Sequence, residues 1–335
     1  MNSDLVSLLE RDILALKLIG FWKSSKDVSS FNSFQYRTYR VMFIQTTAIT
    51  NPLMVVCIFF NMEHLHAMLF QLESAAFQPK SQNEYLCVYK WKKSCYLVKN
   101  LFYGVNGFLV TSGPILAMIQ GKTAPIATYI PPWIHWRVYF WFQSTLTVYN
   151  ATMASMYIST LTSLLIEAII QVACLKERLQ HTEETKLLVE CIEHYLEIIM
   201  FTERLHQLCK IGLSIVFVGG VINICTTLSL LLVVSLMELL WFVPYLTVMI
   251  MTIYVHCFYG SILANECEDI PYALFSSKWV STDVAHKRTL IIFMIFSKKQ
   301  IYIKLAAGTL TMTLPLFVQI IRTAYAYFNV LQSLD

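Results

Sequence analysis

The sequence predicts an all-α, polytopic membrane protein, a bundle of about six spanning helices. Hydrophobic residues make up 56% of the 335-residue chain and charged residues only 14%, whereas a soluble domain carries about 25% charged residues. The apolar residues are gathered in blocks long enough to cross a bilayer. Because the net charge is only +4 and the basic residues are scattered between these blocks, membrane lipid is the expected surrounding and no nucleic-acid partner is expected.

The elements can be predicted in chain order. Residues 1–40 mix acidic and basic side chains with leucines, which predicts a cytoplasmic amphipathic segment on the membrane surface. A shorter stretch, 66–77, contains a glutamate and is predicted to form a cytoplasmic helix. The candidate spans are residues 41–60, 100–119, 138–174, 211–237, 238–263 and 304–328. Residues 41–263 are therefore expected to form a transmembrane ligand-binding bundle with cytoplasmic helical extensions, and residues 264–300 a cytoplasmic, anchor-like helical segment.

Basic residues predict the orientation, because Lys and Arg accumulate in cytoplasmic loops. They are concentrated in 61–99, 175–210 and 264–300, whereas 120–137 and the turn near Glu238 are poor in them. These loops alternate across five spans and predict an extracellular C-terminus.

The N-terminal segment does not fit this alternation. It is also basic, yet only one span separates it from the basic loop 61–99, so both sides of that span are expected in the cytoplasm. We interpret this as the absence of one spanning helix between Phe60 and His66. The alternatives are that one basic cluster lies outside the cell or that 41–60 does not span.

Signatures of catalysis or metal binding are missing from the sequence. It contains no Gly-rich phosphate loop, nucleophile elbow or zinc pattern. His64 and His66 form a pair without further ligands at helical spacing, which is more typical of a loop than of a metal site. No enzyme activity and no cofactor or metal are expected.

Uncharged polar and aromatic residues occur in the outer halves of three spans. A mostly apolar cavity with a few hydroxyl groups is typical of sites for small organic ligands. Taken singly, each residue is better explained by helix packing or by an interfacial aromatic belt, so the cavity is a prediction about the set. The candidate ligand-binding residues are Thr111, Ser112, Ile115, Met118, Tyr139, Phe142, Thr145, Tyr149, Phe242, Tyr245 and Met249.

Several segments near the end of the chain resemble the C-terminal signature of insect odorant receptors. They are PYALFSSKW at 271–279, KRTLIIFMIFSKKQ at 287–300, LAAG at 305–308 and IIRTAYAYFNVL at 320–331. Earlier, LESAAFQPK at 72–80 is similar to the segment that follows the second span in that family. The resemblance implies seven spans, a cytoplasmic N-terminus and an extracellular C-terminus, and the absent helix would then be the family's second span.

The same resemblance implies a function. It points to an odorant-specific tuning subunit of a ligand-gated, non-selective cation channel, opened by a small volatile organic odorant and assembled with a common odorant co-receptor subunit into a hetero-tetramer. The implied location is the plasma membrane of olfactory sensory neurons. Alternatives are a seven-span gustatory-type receptor channel, a G-protein-coupled-type chemoreceptor, and a non-functional truncated variant. The distribution of Lys and Arg predicts an orientation in the membrane opposite to that of G-protein-coupled receptors.

The resemblance also implies that the last segment, 301–335, is a pore-lining helix. At 100° per residue, one stripe about 80° wide contains Gln319, Thr323, Ala326, Val330 and Leu334. By comparison with the family's ending, Val330 and Leu334 would form the constriction, and a ring of such side chains can gate by dewetting. The alternative is that these two residues only pack against lipid or neighbouring helices.

Overall fold

A computed structural model describes residues 50, 53, 56–57, 60–122, 134–231, 236–298, 301–305 and 310–332. The predicted amphipathic segment 1–40 lies outside the described residues, and so does most of the predicted span 41–60. The predicted gate residue Leu334 also falls outside them.

The described chain is a helical bundle with one short hairpin, which confirms the predicted all-α membrane fold. The hairpin pairs its strands antiparallel, with Lys304 opposite Thr311. In chain order the elements are α1 (Met62–Leu72), α2 (Gln82–Ile119), α3 (Trp136–Gln180), α4 (Thr185–Leu231), α5 (Leu236–Glu268), α6 (Ile270–Phe275), a 3-10 turn (Trp279–Ser281), α7 (Val284–Ser297), β1 (Lys304–Leu305), β2 (Leu310–Thr311) and α8 (Leu314–Gln332).

Four helical segments of the described chain are long and apolar enough to cross a membrane: α2, α3, α4, and α5 together with α6. The helices α3 and α4 contain 45 and 47 residues. At 1.5 Å per residue each is nearly 70 Å long, about twice the thickness of a bilayer's hydrocarbon core. Part of each helix therefore projects from the membrane, and the charged ends, with Lys176 and Arg178 in α3, are the parts that do. The chain is a multi-pass membrane protein.

The last predicted span begins later than its sequence suggests. Helicity was expected from Lys304, but β1 and β2 occupy this region and α8 begins only at Leu314. Pro315 lies in the first turn of α8, where its missing N–H is not needed. The Ser261 hydroxyl of α5 accepts a hydrogen bond from the Leu314 N–H at 2.8 Å, so the start of α8 is fixed by a partner distant in sequence.

The hairpin packs directly on α5 because one residue there lacks a side chain. A Cβ at Gly260 would collide with the backbone oxygen of Met312. The Met312 N–H in turn donates to the carbonyl of Ile303 at 2.9 Å. The hairpin is therefore a close-fitting connection between α7 and α8.

The core is centred on α3, which packs against α2, α4, α5 and α6. Residues on several of its faces are at most 1% exposed, among them Leu165, Ile166, Ala168, Ile169 and Ile170. A helix that is apolar all round is typical of a buried position in a bundle.

An arginine cluster, defined as Arg178, Glu84, His194 and Gln171, connects the charged ends of the helices. The guanidinium of Arg178 donates from Nε to Glu84 Oε1 at 3.2 Å and from Nη2 to Glu84 Oε2 at 2.9 Å. It also donates to the carbonyls of Ala76 and Gln78, at 3.1 and 2.9 Å. One side chain of α3 thus fixes the turn between α1 and α2.

His194 extends this cluster into α4, in a part of the chain predicted to form a cytoplasmic helical extension. Its Nδ1 lies 3.1 Å from Arg178 Nη1, and its Nε2 lies 3.2 Å from Gln171 Oε1. Because a guanidinium can only donate, Nδ1 must accept and the proton must sit on Nε2. Gln171 Nε2 then donates to the carbonyl of Phe77 at 3.1 Å. The sequence showed only a mixed polar and apolar helix here, whereas His194 is 2% exposed.

Replacing Arg178 with methionine should strongly destabilise the protein. The change leaves the Glu84 side chain, 2% exposed, as a buried carboxylate without its cation, which costs about 3–5 kcal/mol of unfolding free energy. The measurement is the unfolding midpoint of the detergent-purified chain. Lys80→Met is the matched control, because Lys80 and Glu190 are 3.8 Å apart and half exposed, and such a pair contributes about 0–1 kcal/mol. Equal midpoints for the two variants would contradict this role of Arg178.

Candidate ligand-binding site and pore helix

The candidate ligand site lies where α2, α3 and α5 pack against one another, toward the ends of these helices away from the arginine cluster. Of the predicted ligand residues, Phe242 and Tyr245 are buried in the described structure, and Met249 is half-buried. These three side chains lie on α5 and give the site an aromatic and apolar lining.

Trp241 is a central residue of this site that the sequence prediction missed. Its ring stacks on Tyr245, with centroids 5.5 Å apart and planes 13° apart, and meets Phe242 edge to face at 5.2 Å. Its indole N–H donates to the Leu109 carbonyl of α2 at 3.1 Å. The signal was present in the run WFVPY at 241–245, but a tryptophan in a span is equally typical of an interfacial belt.

Trp241 approaches α2 closely because α2 has a glycine at the contact. A Cβ at Gly113 would lie 3.0 Å from Trp241 Nε1, which is tighter than an ordinary van der Waals contact. Pro114 and Pro244 lie inside the two helices at the same level. Each proline removes one backbone hydrogen bond from its helix and favours a local bend.

Two further predicted residues, Ser112 and Tyr139, are half-buried, and the Ser112 hydroxyl donates to the Leu109 carbonyl at 3.3 Å. The remaining six lie on exposed faces of α2 and α3, so the described chain does not bring them together with the α5 residues. These are Thr111, Ile115, Met118, Phe142, Thr145 and Tyr149.

Two of these six are threonines whose hydroxyls bond within their own helices. Thr111 donates to the carbonyl of Gly107 and Thr145 to that of Trp141, each at 2.9 Å. A hydroxyl bonded to a preceding carbonyl has already used its donor. These two residues therefore offer a ligand only the oxygen lone pairs.

The buried face of α3 at this level consists of Phe140, Gln143 and Ser144. The prediction instead selected Phe142, Thr145 and Tyr149 from a neighbouring face. Both faces carry aromatic and hydroxyl residues, so helical periodicity could not show which one points inward.

An ion pair connects the segment directly after α2 with α5, at the end of this site that is farther from the arginine cluster. Lys122 Nζ lies 2.8 Å from Glu238 Oε1, and the two side chains are 35% and 17% exposed. Glu238 is in the first turn of α5, where a negative charge interacts favourably with the helix dipole. The pair holds the two helices together one turn beyond Trp241.

The candidate pore helix, α8, has one buried face. Leu316, Ile320 and Ala324 are buried, and α8 packs against α4 and α5. The predicted stripe lies on another face, where the described residues Gln319, Thr323, Ala326 and Val330 are all exposed. This helix is not among the four span candidates, and it carries Gln319 and Arg322 within its apolar sequence.

A cleft also opens beside the arginine cluster, lined by Lys80, Glu84, Arg178, Glu190 and neighbouring residues. None of the predicted ligand or pore residues lines it. Because Arg178 is already paired with Glu84, its charge is not available to a further anion.

Comparison with known proteins gives consistent matches. A family model described as 7tm Odorant receptor matches residues 38–325. Odorant receptor 46a, isoform A, of Drosophila melanogaster is 23% identical over 326 residues, which are 90% of this chain and 84% of the relative. Odorant receptor 33b of the same species is 28% identical over 162 residues, 46% of this chain. That match spans only 42% of the relative, less than half of its length.

Solved structures show the same fold. The insect olfactory receptor OR5 from Machilis hrabei matches with a TM-score of 0.81 at 14% identity, covering 90% of this chain and 82% of that one. The same receptor in complex with eugenol matches with a TM-score of 0.82 at 14% identity, covering 93% of this chain and 83% of that one.

Gly113→Val should destabilise the contact between α2 and α5. The branched side chain must displace the Trp241 indole and break its bond to Leu109, and overpacking of this kind costs about 1–3 kcal/mol. The measurement is the unfolding midpoint of the purified chain, with Gly104→Val as the control. A Cβ at Gly104 has no neighbour within 4 Å, so its midpoint should stay close to that of the unmodified chain. The close contact would be disproved by equal midpoints of the two variants.

Proposed function

Because this chain belongs to the seven-transmembrane odorant receptor family, we propose that it is the odorant-recognising subunit of a ligand-gated, non-selective cation channel. It is a receptor by family and fold, and not an enzyme. The proposed ligand is a small volatile organic molecule, and the proposed location is the plasma membrane of olfactory sensory neurons.

The observation that carries the channel proposal is the exposed face of α8. Gln319, Arg322 and Thr323 are exposed in the single chain, although hydrophobic residues flank them on both sides. Polar and charged groups at membrane depth are costly against lipid and usually face protein or water. A position around a shared central pore would give Gln319 and Thr323 contact with water and Arg322 a neighbouring subunit.

The need of these polar residues for water and a neighbouring subunit supports assembly with partner subunits. One helix cannot enclose a pore, and a hetero-tetramer with an odorant co-receptor subunit would supply the remaining walls. In that assembly the ring of Val330 side chains, with Leu334 beyond it, would form a hydrophobic constriction that opens by hydration. Small outward motions of α8 would be sufficient to admit water.

The aromatic group on α5 supports the proposed ligand class. Trp241, Phe242 and Tyr245 form one connected set of rings, and Met249 follows one turn later with a flexible, polarisable side chain. Such a wall suits an apolar ligand with few polar atoms. We propose Ser112 as the neighbouring hydroxyl. The six exposed predictions on α2 and α3 receive no support from the packing of the described helices.

The alternatives differ in measurable ways. A G-protein-coupled-type receptor would need intracellular nucleotides, and a gustatory-type channel would work without the odorant co-receptor. The deciding experiment is co-expression with the co-receptor subunit and recording of odorant-evoked currents, with and without G-protein inhibitors. The expected result is a cation current that needs the co-receptor and resists the inhibitors.

The same recording should be made on a version with a spanning helix restored between Phe60 and His66. If the restored chain gives an evoked current and the present chain gives none, the present sequence is a non-functional variant of a working receptor. Absence of evoked current from both chains, with both detected at the cell surface and a broad odorant panel applied, would refute the proposed function.

Val330→Thr should raise the current measured without odorant several-fold. The two side chains have nearly the same shape, but the hydroxyl lowers the cost of wetting a narrow ring. Val318→Thr is the control, because it makes the same change at a similarly exposed position, 44% against 50%, about 120° away around α8. Equal basal currents in the two variants would show that Val330 is not part of the gate.

A further inference from the structure

The half of α2 that precedes its apolar segment carries a strongly basic surface. Residues 85–99 contain four lysines and no acidic residue. Lys90, Lys92 and Lys93 are exposed, and Lys99 is partly exposed. None of the four forms an ion pair with another described residue. These charges lie immediately before the apolar part of the helix, which begins near Asn100.

The four lysines divide into two pairs by helix face. Lys92 and Lys99 lie close enough to Glu167 of α3 to act electrostatically on its carboxylate. Lys93 is about 100–120° away from both around the helix, and Lys90 is about 60° beyond Lys93. Lys90 and Lys93 therefore form the outward pair, and Lys92 and Lys99 the pair that faces α3.

Carboxylates near the outward pair are already engaged. Glu177 and Glu266 act on Cys87, one turn from Lys90. However, Glu266 is paired with Lys176, and Glu177 accepts from Asn83 Nδ2 at 2.7 Å. Neither carboxylate pairs with Lys90 or Lys93, and the outward pair has no ion-pair partner among the described residues.

Large aromatic and aliphatic side chains flank the outward pair. Tyr89 and Tyr96 lie within about 60° of Lys93 and are 68% and 65% exposed. Leu86 and Leu97, on the other side of Lys93, are 62% and 73% exposed. Tyrosine beside lysine at the end of a span is typical of the interfacial layer, where rings sit among headgroups and ammonium groups meet phosphates.

The distances suit this layer. Lys93 and Lys90 lie about 10 and 15 Å along the helix axis from Asn100, and lysine side chains reach further along an apolar surface toward the headgroups. A basic group beside a spanning helix is attracted by the anionic lipids of the cytoplasmic leaflet.

We propose that the face of α2 formed by Tyr89, Lys90, Lys93 and Tyr96 binds anionic phospholipid headgroups of the cytoplasmic leaflet. The two ammonium groups pair with headgroup phosphate or carboxylate oxygens, while the tyrosine rings and the adjacent leucines contact glycerol and upper acyl chains. Lipid bound there anchors the projecting half of α2.

The test uses the full chain, purified in detergent and titrated with phosphatidylserine or phosphatidylcholine, with bound lipid counted by native mass spectrometry. Phosphatidylserine should bind preferentially, and less so at high salt. Lys90→Gln with Lys93→Gln should weaken its binding about 25-fold, since each lysine contributes a factor of about five. The matched control, Lys92→Gln with Lys99→Gln, has the same net charge as the first double variant. Its binding of phosphatidylserine should fall far less.

Equal losses in the two double variants would show attraction by overall charge and overturn the proposed site. Equal binding of the two lipids by the unmodified chain would overturn it as well. A second measurement needs no variant: acetylation of lysines in nanodiscs, followed by mass spectrometry. Phosphatidylserine should protect Lys90 and Lys93 more than Lys92 and Lys99, and uniform labelling would contradict the proposal. Neither readout depends on odorant response or on the co-receptor.

Discussion

The projecting ends of this bundle depend on the pairing of Arg178 with Glu84. A single guanidinium binds the Glu84 carboxylate in the first turn of α2, two carbonyls of the preceding turn, and the ring of His194 in α4. Inside a membrane, helices meet without the hydrophobic driving force that assembles soluble cores. Outside it, buried polar groups must be fully satisfied. The cluster meets this demand at the projecting ends of α2, α3 and α4, where it links the three helices through one side chain.

At the opposite ends of the helices, small residues and rings set the geometry. Gly113 allows Trp241 to reach across to the backbone of α2, and Lys122 pairs with Glu238 one turn further out. The two contacts make α2 and α5 a connected pair around the aromatic group.

The exposed faces of α2 and α8 belong to different surroundings: lipid headgroups are proposed for the lysines of α2, and neighbouring subunits and water for the polar stripe of α8.

Much of the fold could be predicted because its signals are long and additive. Twenty apolar residues in a row identify a span whatever its partners, and the excess length of residues 138–174 anticipated the projecting end of α3. The β1–β2 hairpin was missed, since its formation depends on Gly260 and Ser261, which are distant in sequence. For the site, Phe242 and Tyr245 were predicted to be inward-facing and are buried. Phe142, Thr145 and Tyr149 are exposed, because α3 is apolar on several faces and its periodicity does not distinguish them. Trp241 was missed because its role arises from a glycine on another helix.

The absence of a side chain at Gly260 has a mechanical consequence. Met312 rests on the bare backbone of α5 at this point, and one residue later Ser261 holds the N–H of Leu314. The C-terminal part of α5 and the start of α8 are therefore joined by two contacts at adjacent residues of α5. Because Gly260 touches the Met312 backbone and Ser261 binds the Leu314 N–H, a displacement of α5 at this level would move the start of α8 with it.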